Sequence, residues 1–413
     1  MSRPEHSRSR RSWPVIGVVT AAVLFVAACG DDDDATTPTS AASAPTTAAT
    51  EPTTAATEPT TAATEPTSTS APSSDAGTPE NVAAAQQVVA EFSQPLTQAS
   101  TEALDLPPIG TPVPADKTVT YISCGTPGCN ASGDILKSVA ELLGWTTETI
   151  ATDGTPQQIQ NAWVQVLREK PDGVWVSGFS RSLFNQEVLD AEAAGIAVVS
   201  TGTLDPIGDG IVWVDGPGFY NNSGELMANW VLANSDGAPN VLYTTIQDYP
   251  IVGLIEDSFR KTLSETAPDA KVETLTIPLE ALGTTAPDLY ISALRSNPDI
   301  EFVVPAFDEL YSGVPAALSA ANLEVKAITV ASTATGLQAI QDGYFGAGVP
   351  FDSNLEIHSV VDALARVFAG EAVLGGVQYP KVFVTNDNLP PIQDHYPVLP
   401  GLDEYFSTVW GVS

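Results

Sequence analysis

A parallel α/β fold is predicted, and three observations predict it. Short, mainly apolar, β-branched runs recur along the chain: KTVTYISC (Lys117–Cys124), GVWVSGF (Gly173–Phe179) and IAVVSTG (Ile196–Gly202). Between them lie segments whose apolar residues repeat at helical spacing. The same alternation then starts again at Asn240. Strands that are apolar on both faces need cover on both, and helices crossing a parallel sheet supply it. Such sheets hold their ligands at the carboxyl ends of the strands, so function is sought in the loops after Cys124, Val176 and Ser200.

The start of the chain reads as an address and a tether. Arg3, Arg8, Arg10 and Arg11 precede an apolar run from Trp13 to Ala28 that is too short to span a bilayer comfortably. Its end, Val26-Ala27-Ala28-Cys29, resembles a bacterial lipoprotein signal, which implies cleavage of residues 1–28 and lipidation of Cys29. Ser9-Arg10-Arg11 also fits twin-arginine export. Residues 29–78 carry Asp31–Asp34 and three tandem copies of TTAATEP, with no position consistently large and apolar. Such a tract cannot offset the entropy of folding and is expected to be a disordered tether. About 45 residues of flexible coil reach roughly 35–40 Å. Residues 79–111 are read as a helix over Glu80–Phe92 and an extended lead-in to the first strand.

Within the body, Asn130 and Ser132 are capping candidates for a helix that places Ile135, Val139 and Leu143 on one face and stops at Gly144. Thr146–Thr152 is a strand. Thr155-Pro156-Gln157-Gln158 is a capping box, followed by Ile159, Ala162, Trp163, Val166 and Leu167 on one stripe. A further helix ends at Gly195. In the second half, strands are read at Asn240–Tyr249, Lys271–Pro278, Ile300–Glu309, VKAITVAST and FGAGVPFD. Helices are read at Ile251–Glu265, Pro287–Asn297, VPAALSAANL, GLQAIQDG and Ser353–Gly370, and a last strand at Lys381–Asn388. Two successive lobes of one design suggest a clamp.

A formal charge of −34 disfavours nucleic acid and anionic lipid head groups as partners. Of three cysteines, Cys124 and Cys129 remain if Cys29 is lipidated. Outside the cytoplasm their default is a structural disulfide. Zinc is the rival, but two thiolates make half a shell and no histidine lies nearby in sequence. No cofactor and no metal site is read from the chain, which has neither a Gly-rich phosphate loop nor a metal-ligand cluster.

Several strings carry a family resemblance. GVWVSGFSRSLFNQEVLDAEAAGIAVVSTGT, PAFDELYSGVPAALSAANL and GLQAIQDGYFGAGVPFD resemble, in order and spacing, segments of the type I periplasmic substrate-binding proteins of the ribose- and galactose-binding group. The resemblance runs from about Lys117 to Asn388. It implies two doubly wound parallel-sheet lobes joined by three crossover strands, at about Val212–Pro217, Val349–Asn354 and Val384–Asn388. The first lobe would take residues 112–215 and 352–383, the second 216–351 and 384–413. It further implies a monomer that closes by hinge motion on a small molecule and docks on an ABC transporter permease, held to the membrane by its lipid alone. A sensory protein would use the same clamp.

Departures from the family pattern concern the ligand. Ser180, followed by Arg181, stands where sugar-binding members offer an aspartate; Phe307 replaces an asparagine before Asp308; Thr333 replaces an aspartate; Ile255 stands near an expected arginine, and Pro350 or Phe351 near a hinge glutamine. Losing several fixed polar groups argues against an ordinary pentose or hexose. Phe179, Phe307, Phe351 and Trp213 would line a more apolar cleft, with Arg181 pairing a ligand carboxylate. Thr126, Gln247 and Tyr249 at strand ends complete the expected contacts. Each residue also has a structural reading: Asp308 as a helix cap, Trp213 as a hinge residue, Phe307 and Phe351 as core. Gly178–Ser182 falls one residue short of the esterase elbow G-x-S-x-G, whose histidine would have to be His358 or His395. That match reads as coincidence, and no enzyme is expected.

Overall fold

The structure, a computed structural model, describes residues 77–412. The export signal, Cys29 and nearly all of the expected tether lie outside them. Helix α1 (Pro79–Phe92) begins at Thr78, whose side chain accepts from Asn81 N–H, and is followed by the short α2 (Gln98–Glu102). The first lobe then alternates β1 (Thr118–Ile122), α3 (Pro127–Glu141), β2 (Thr146–Ile150), α4 (Pro156–Glu169), β3 (Gly173–Ser177), α5 (Asn185–Ala193), β4 (Ala197–Thr201) and β5 (Ile211–Val214). The second repeats the plan: α6 (Gly218–Ala233), β6 (Asn240–Thr245), α7 (Gly253–Thr266), β7 (Lys271–Thr276), α8 (Ala286–Ser296), β8 (Phe302–Pro305), α9 (Val314–Ala321), β9 (Lys326–Ala331), α10 (Ala334–Gln341) and β10 (Ala347–Pro350). Two helices close the chain, α11 (Ser353–Ala369) and α12 (Leu402–Trp410).

Each lobe holds a five-stranded parallel sheet, ordered β2-β1-β3-β4-β5 in the first and β10-β9-β8-β6-β7 in the second. Read from the other edge, the second order is that of the first, so both reverse direction at equivalent places, β1/β3 and β6/β8. Crevices at such switch points are where open α/β sheets take ligands. Strand β3 is buried at every residue, as its unbroken apolar run requires. Helix α4 starts as its capping box predicts, with Thr155 accepting from Gln158 N–H, and buries Ile159, Ala162, Trp163 and Val166. Each of the larger side chains contributes roughly 1.5–3 kcal/mol by leaving water.

Four expectations need correction. Helix α3 is capped by Thr126, which accepts from Cys129 N–H, because Pro127 begins the helix earlier than Asn130 or Ser132 would. Helix α6 carries no amphipathic signal, since it is buried almost all round, and went unread. Lys381–Asn388 forms no strand; Val384 makes one antiparallel bridge to Gly348, and Asn388 turns the chain by accepting from Thr385 N–H at 2.7 Å. The tail was expected with the second lobe. Instead α12 packs on α11, which itself packs on α3 and β4, so the last helix seats on the first lobe. Trp410 Nε1 donates to Asp362 at 3.0 Å, and Ile109 N–H donates to Val409 at 2.8 Å.

Candidate ligand cleft

The chain passes between lobes after β5 and again after β10, so the carboxyl ends of both sheets face one another. From the first lobe the cleft takes the loops after β1, β3 and β4, and from the second those after β6, β8 and β9. Together with residues at the two passages they enclose a cavity of about 140 Å³. A water needs roughly 10–15 Å³ of such space, so the cavity has room for about ten small-molecule atoms.

Aromatic side chains shape it. Tyr121 and Trp175, neighbours on β1 and β3, stack with centroids 3.8 Å apart at its floor. Tyr249 and Phe307 come from the opposite lobe, Phe351 and Tyr220 from the passages. The donors on these walls are largely spent within the protein. Trp175 Nε1 donates to Thr201 at 3.0 Å, Tyr121 Oη to the Cys129 carbonyl at 3.0 Å, and Ser132 Oγ to the Gly128 carbonyl at 3.3 Å. Tyr249 Oη reaches across the cleft to the Cys124 carbonyl at 2.9 Å. A second bond across it runs from Gly128 N–H to Glu309 Oε1 at 3.1 Å. The rim loop bearing Thr126 and Gly128 is closed by a disulfide, Cys124–Cys129, with Cα atoms 5.6 Å apart. That bond excludes the zinc reading of these cysteines.

Carboxyl groups are the other recurring wall element. Glu356, on the first turn of α11, faces the cavity and is 6% exposed; Asp215, behind it, is 1% exposed. Burial pushes Asp215 up to about 7, although Gly202 N–H donates to it at 3.2 Å. Burial, then the charge of Asp215, pushes Glu356 well above the usual carboxylate range. Glu309 is pushed up to about 7, first by burial and then by neighbouring Asp308. Glu309 also borders a wider vestibule of about 720 Å³, whose walls include Asp153, Asp248, Glu280 and Asp394. No lysine or arginine lines either space.

The expected contacts divide. Thr126, Tyr249, Phe307 and Phe351 line the cavity; Thr333 lines the vestibule and caps α10, accepting from Gly336 N–H. Asp308 does not cap the helical turn that follows it. Fully buried, it accepts from the N–H and hydroxyl of both Ser332 and Thr333, tying the loop after β9 to the loop after β8. Phe179 stands behind the wall, 6.2 Å from the Tyr249 ring. Trp213 is core near the first passage, donating to Gly375 at 3.4 Å, and Gln247 is exposed and outside the cavity wall. Ser180 and Arg181 also stand outside it. Arg181 N–H and Ser180 Oγ bond Asp205, while the guanidinium holds Asn185, the Gly208 carbonyl and, at 3.7 Å, Asp209. A guanidinium so engaged cannot pair a ligand carboxylate in the cavity, which corrects that expectation. The esterase reading also fails on geometry. His395 bonds Ser353, and His358 lies between the Asn354 carbonyl and Asp403; neither meets Ser180.

Tyr121, Trp175, Tyr220, Glu309 and Glu356 are wall residues that sequence reasoning missed. The tyrosine and tryptophan sit inside apolar runs, where aromatics read as core. Glu356 did leave a signal: a carboxylate in a helix whose neighbours Leu355 and Ile357 are both buried.

Comparison with known proteins agrees with this layout. Residues 119–372 match the family described as the periplasmic binding protein domain. An ABC sugar transporter subunit from Rhodobacter sphaeroides is similar in structure at 20% identity and a TM-score of 0.57, over 66% of this chain and 99% of that one. A periplasmic ribose ABC transporter protein from Conexibacter woesei is similar at 16% identity and 0.57, over 68% and 95%. A Mycobacterium smegmatis protein in complex with β-D-fucofuranose is similar at 20% identity and 0.57, over 71% and 98%. Among curated proteins no match is found.

Proposed function

Because this chain belongs to the periplasmic binding protein family, we propose that it captures a small molecule between its lobes and delivers it to an ABC importer. That family consists of extracytoplasmic solute-binding proteins rather than enzymes. The proposed ligand is less polar than a simple sugar, with an aromatic or alicyclic body. The observation that carries this is the wall itself: six aromatic side chains around a cavity of about 140 Å³. Closure would then work mainly by excluding water from ring faces, at roughly 25 cal/mol per Å² of apolar surface covered.

Anchoring is proposed through a lipid on Cys29, on the strength of Val26-Ala27-Ala28-Cys29 behind a charged, apolar leader. Among the described residues no helix is long and apolar enough to cross a membrane. The mass of the protein recovered from membranes tests this: loss of residues 1–28 together with a diacylglyceryl adduct is expected, and a Cys29→Ala chain should appear in the medium.

A sugar or polyol ligand is the second reading, favoured by similar structures that hold β-D-fucofuranose, allitol and myo-inositol. A thermal-shift screen separates the two. Stabilisation by cyclic apolar compounds is expected. A screen in which simple sugars alone raise Tm would overturn the first reading in favour of the second.

A further inference from the structure

We propose that the ligand of this cleft is an organic cation, an ammonium group on an apolar body, with Glu309 as its counter-ion. The inference rests on the cleft being the binding site and deepens that reading by naming the chemical class.

Hydrogen-bond polarity on the wall favours a donor ligand. A sugar hydroxyl both donates and accepts, so a sugar site presents donors as well as acceptors. Here the hydroxyls of Tyr121, Tyr249 and Ser132 and the indole N–H of Trp175 are already given to protein acceptors. The Gly202 and Gly128 N–H groups are given to carboxylates. Glu309 accepts from the Gly128 N–H and from the Thr126 hydroxyl, and its carboxylate borders both the cavity and the vestibule. Tyr220 keeps a free hydroxyl on this wall, yet the carboxyls of Glu309 and Glu356 border the same cavity, and an ammonium brings donors alone.

Charge acts in the same direction. With no lysine or arginine on either wall, the carboxylates of Glu309, Asp153, Asp248, Glu280 and Asp394 have no counter-ion of their own in the cleft. The vestibule therefore draws cations inward and turns anions away, and salt weakens that steering. The surface that meets the ligand is aromatic. Faces of Trp and Tyr attract a cation within about 6 Å of the ring, by roughly 0.5–2 kcal/mol depending on desolvation. Trp175, Tyr220 and Tyr249 supply such rings in the cavity that Glu309 borders.

The titration of Glu309 provides a readout. Asp308 on its own segment and Asp394 from the tail face it as charges; α3 presents the Gly128 N–H and the Thr126 hydroxyl, neither of which titrates; His395 shares the cavity. With Glu309 at about 7 in the empty cleft, only its deprotonated form receives an ammonium. Amine affinity should therefore rise about tenfold between pH 6 and pH 8, then level off.

The test is titration calorimetry of the full chain, purified with its disulfide intact, against 2-phenylethylamine, 2-phenylethanol, phenylacetate and myo-inositol. The same series is repeated with the cyclohexyl analogues. The amines are expected to bind at least tenfold tighter than the matched alcohols, and the acids not at all. Glu309→Gln should erase the difference between amine and alcohol and flatten the pH profile. Asp248→Asn, on the exposed vestibule wall, should weaken amine binding two- to threefold at low salt only, and serves if the first variant folds poorly. An alcohol or myo-inositol binding as tightly as the amine, or an acid binding at all, would overturn the proposal while leaving a binding protein. If no compound binds and native mass spectrometry finds nothing held by the protein as isolated, both readings fall together.

Discussion

Asp308 shows how a single buried carboxylate can build a site without touching what the site binds. Its two oxygens take four donors from Ser332 and Thr333 at 2.7–3.3 Å, and it sits so close to α10 that a Cβ on Gly336 would lie 2.0 Å from Oδ2. Only glycine permits that approach. Removing the carboxylate strands two main-chain N–H groups, at about 1–3 kcal/mol for each buried unpaired group. Asp308→Ala should therefore lower stability by about 3 kcal/mol, and Asp308→Asn by less, since the amide keeps one acceptor oxygen. Calorimetric unfolding checks this, and an unchanged Tm for the alanine variant would show that water replaces the carboxylate. Residue roles of this sort were half legible. Asp308 stood out in the sequence, but the partners that define its work lie 24 and 25 positions away and meet it only through the sheet. Arg181 was misread for the same reason, because Asp205, Gly208 and Asp209 return to it from the loop after β4.

Among the elements, legibility followed one-sided burial. Strands and helices that turn one face to the sheet announced themselves by period, and α4 did so down to its cap. Helix α6 did not, since it is wedged between α1 and α7 and buries residues on every side. Its Gly224 lies against α7 so tightly that a Cβ would come within 2.2 Å of the Ile255 carbonyl. Gly224→Val should force these helices apart and cost about 1–3 kcal/mol, as overpacked cores do. Denaturant unfolding of that variant should show a lower midpoint with an unchanged slope. Lys381–Asn388 failed in the other direction: a β-branched run predicts pairing, yet it meets β10 at Gly348 alone before Asn388 bends it away.

For the molecule as a whole, the interior carboxyls set how stability answers pH. Asp215 and Asp352, both buried at the passages between lobes, are raised by burial to about 7 and about 6, and Glu309 at the cleft to about 7. A carboxyl whose folded value exceeds its unfolded value of about 4 binds protons more readily in the folded chain. Its stabilising contribution is thus present in acid and is lost as pH rises from about 4 to about 7. The charge of −34 acts in the same sense, because self-repulsion grows as carboxyls ionise. A higher Tm at pH 5 than at pH 8 is expected, and scanning calorimetry across that range tests it. Below pH 4 the trend should reverse, as Asp172, held low against its partial burial by Lys117 and Thr118, and Asp403, held low by the His358 ring, take up protons and lose those partners.

Trp175 has a practical consequence. Of the tryptophans in the chain it alone among the described residues lines the cavity; Trp145, Trp163, Trp213, Trp230 and Trp410 are buried elsewhere. Indole emission excited at 295 nm should therefore carry one occupancy-sensitive component over a constant background. Quenching or a blue shift on filling the cleft, lost in Trp175→Phe, would give an optical titration that needs no label.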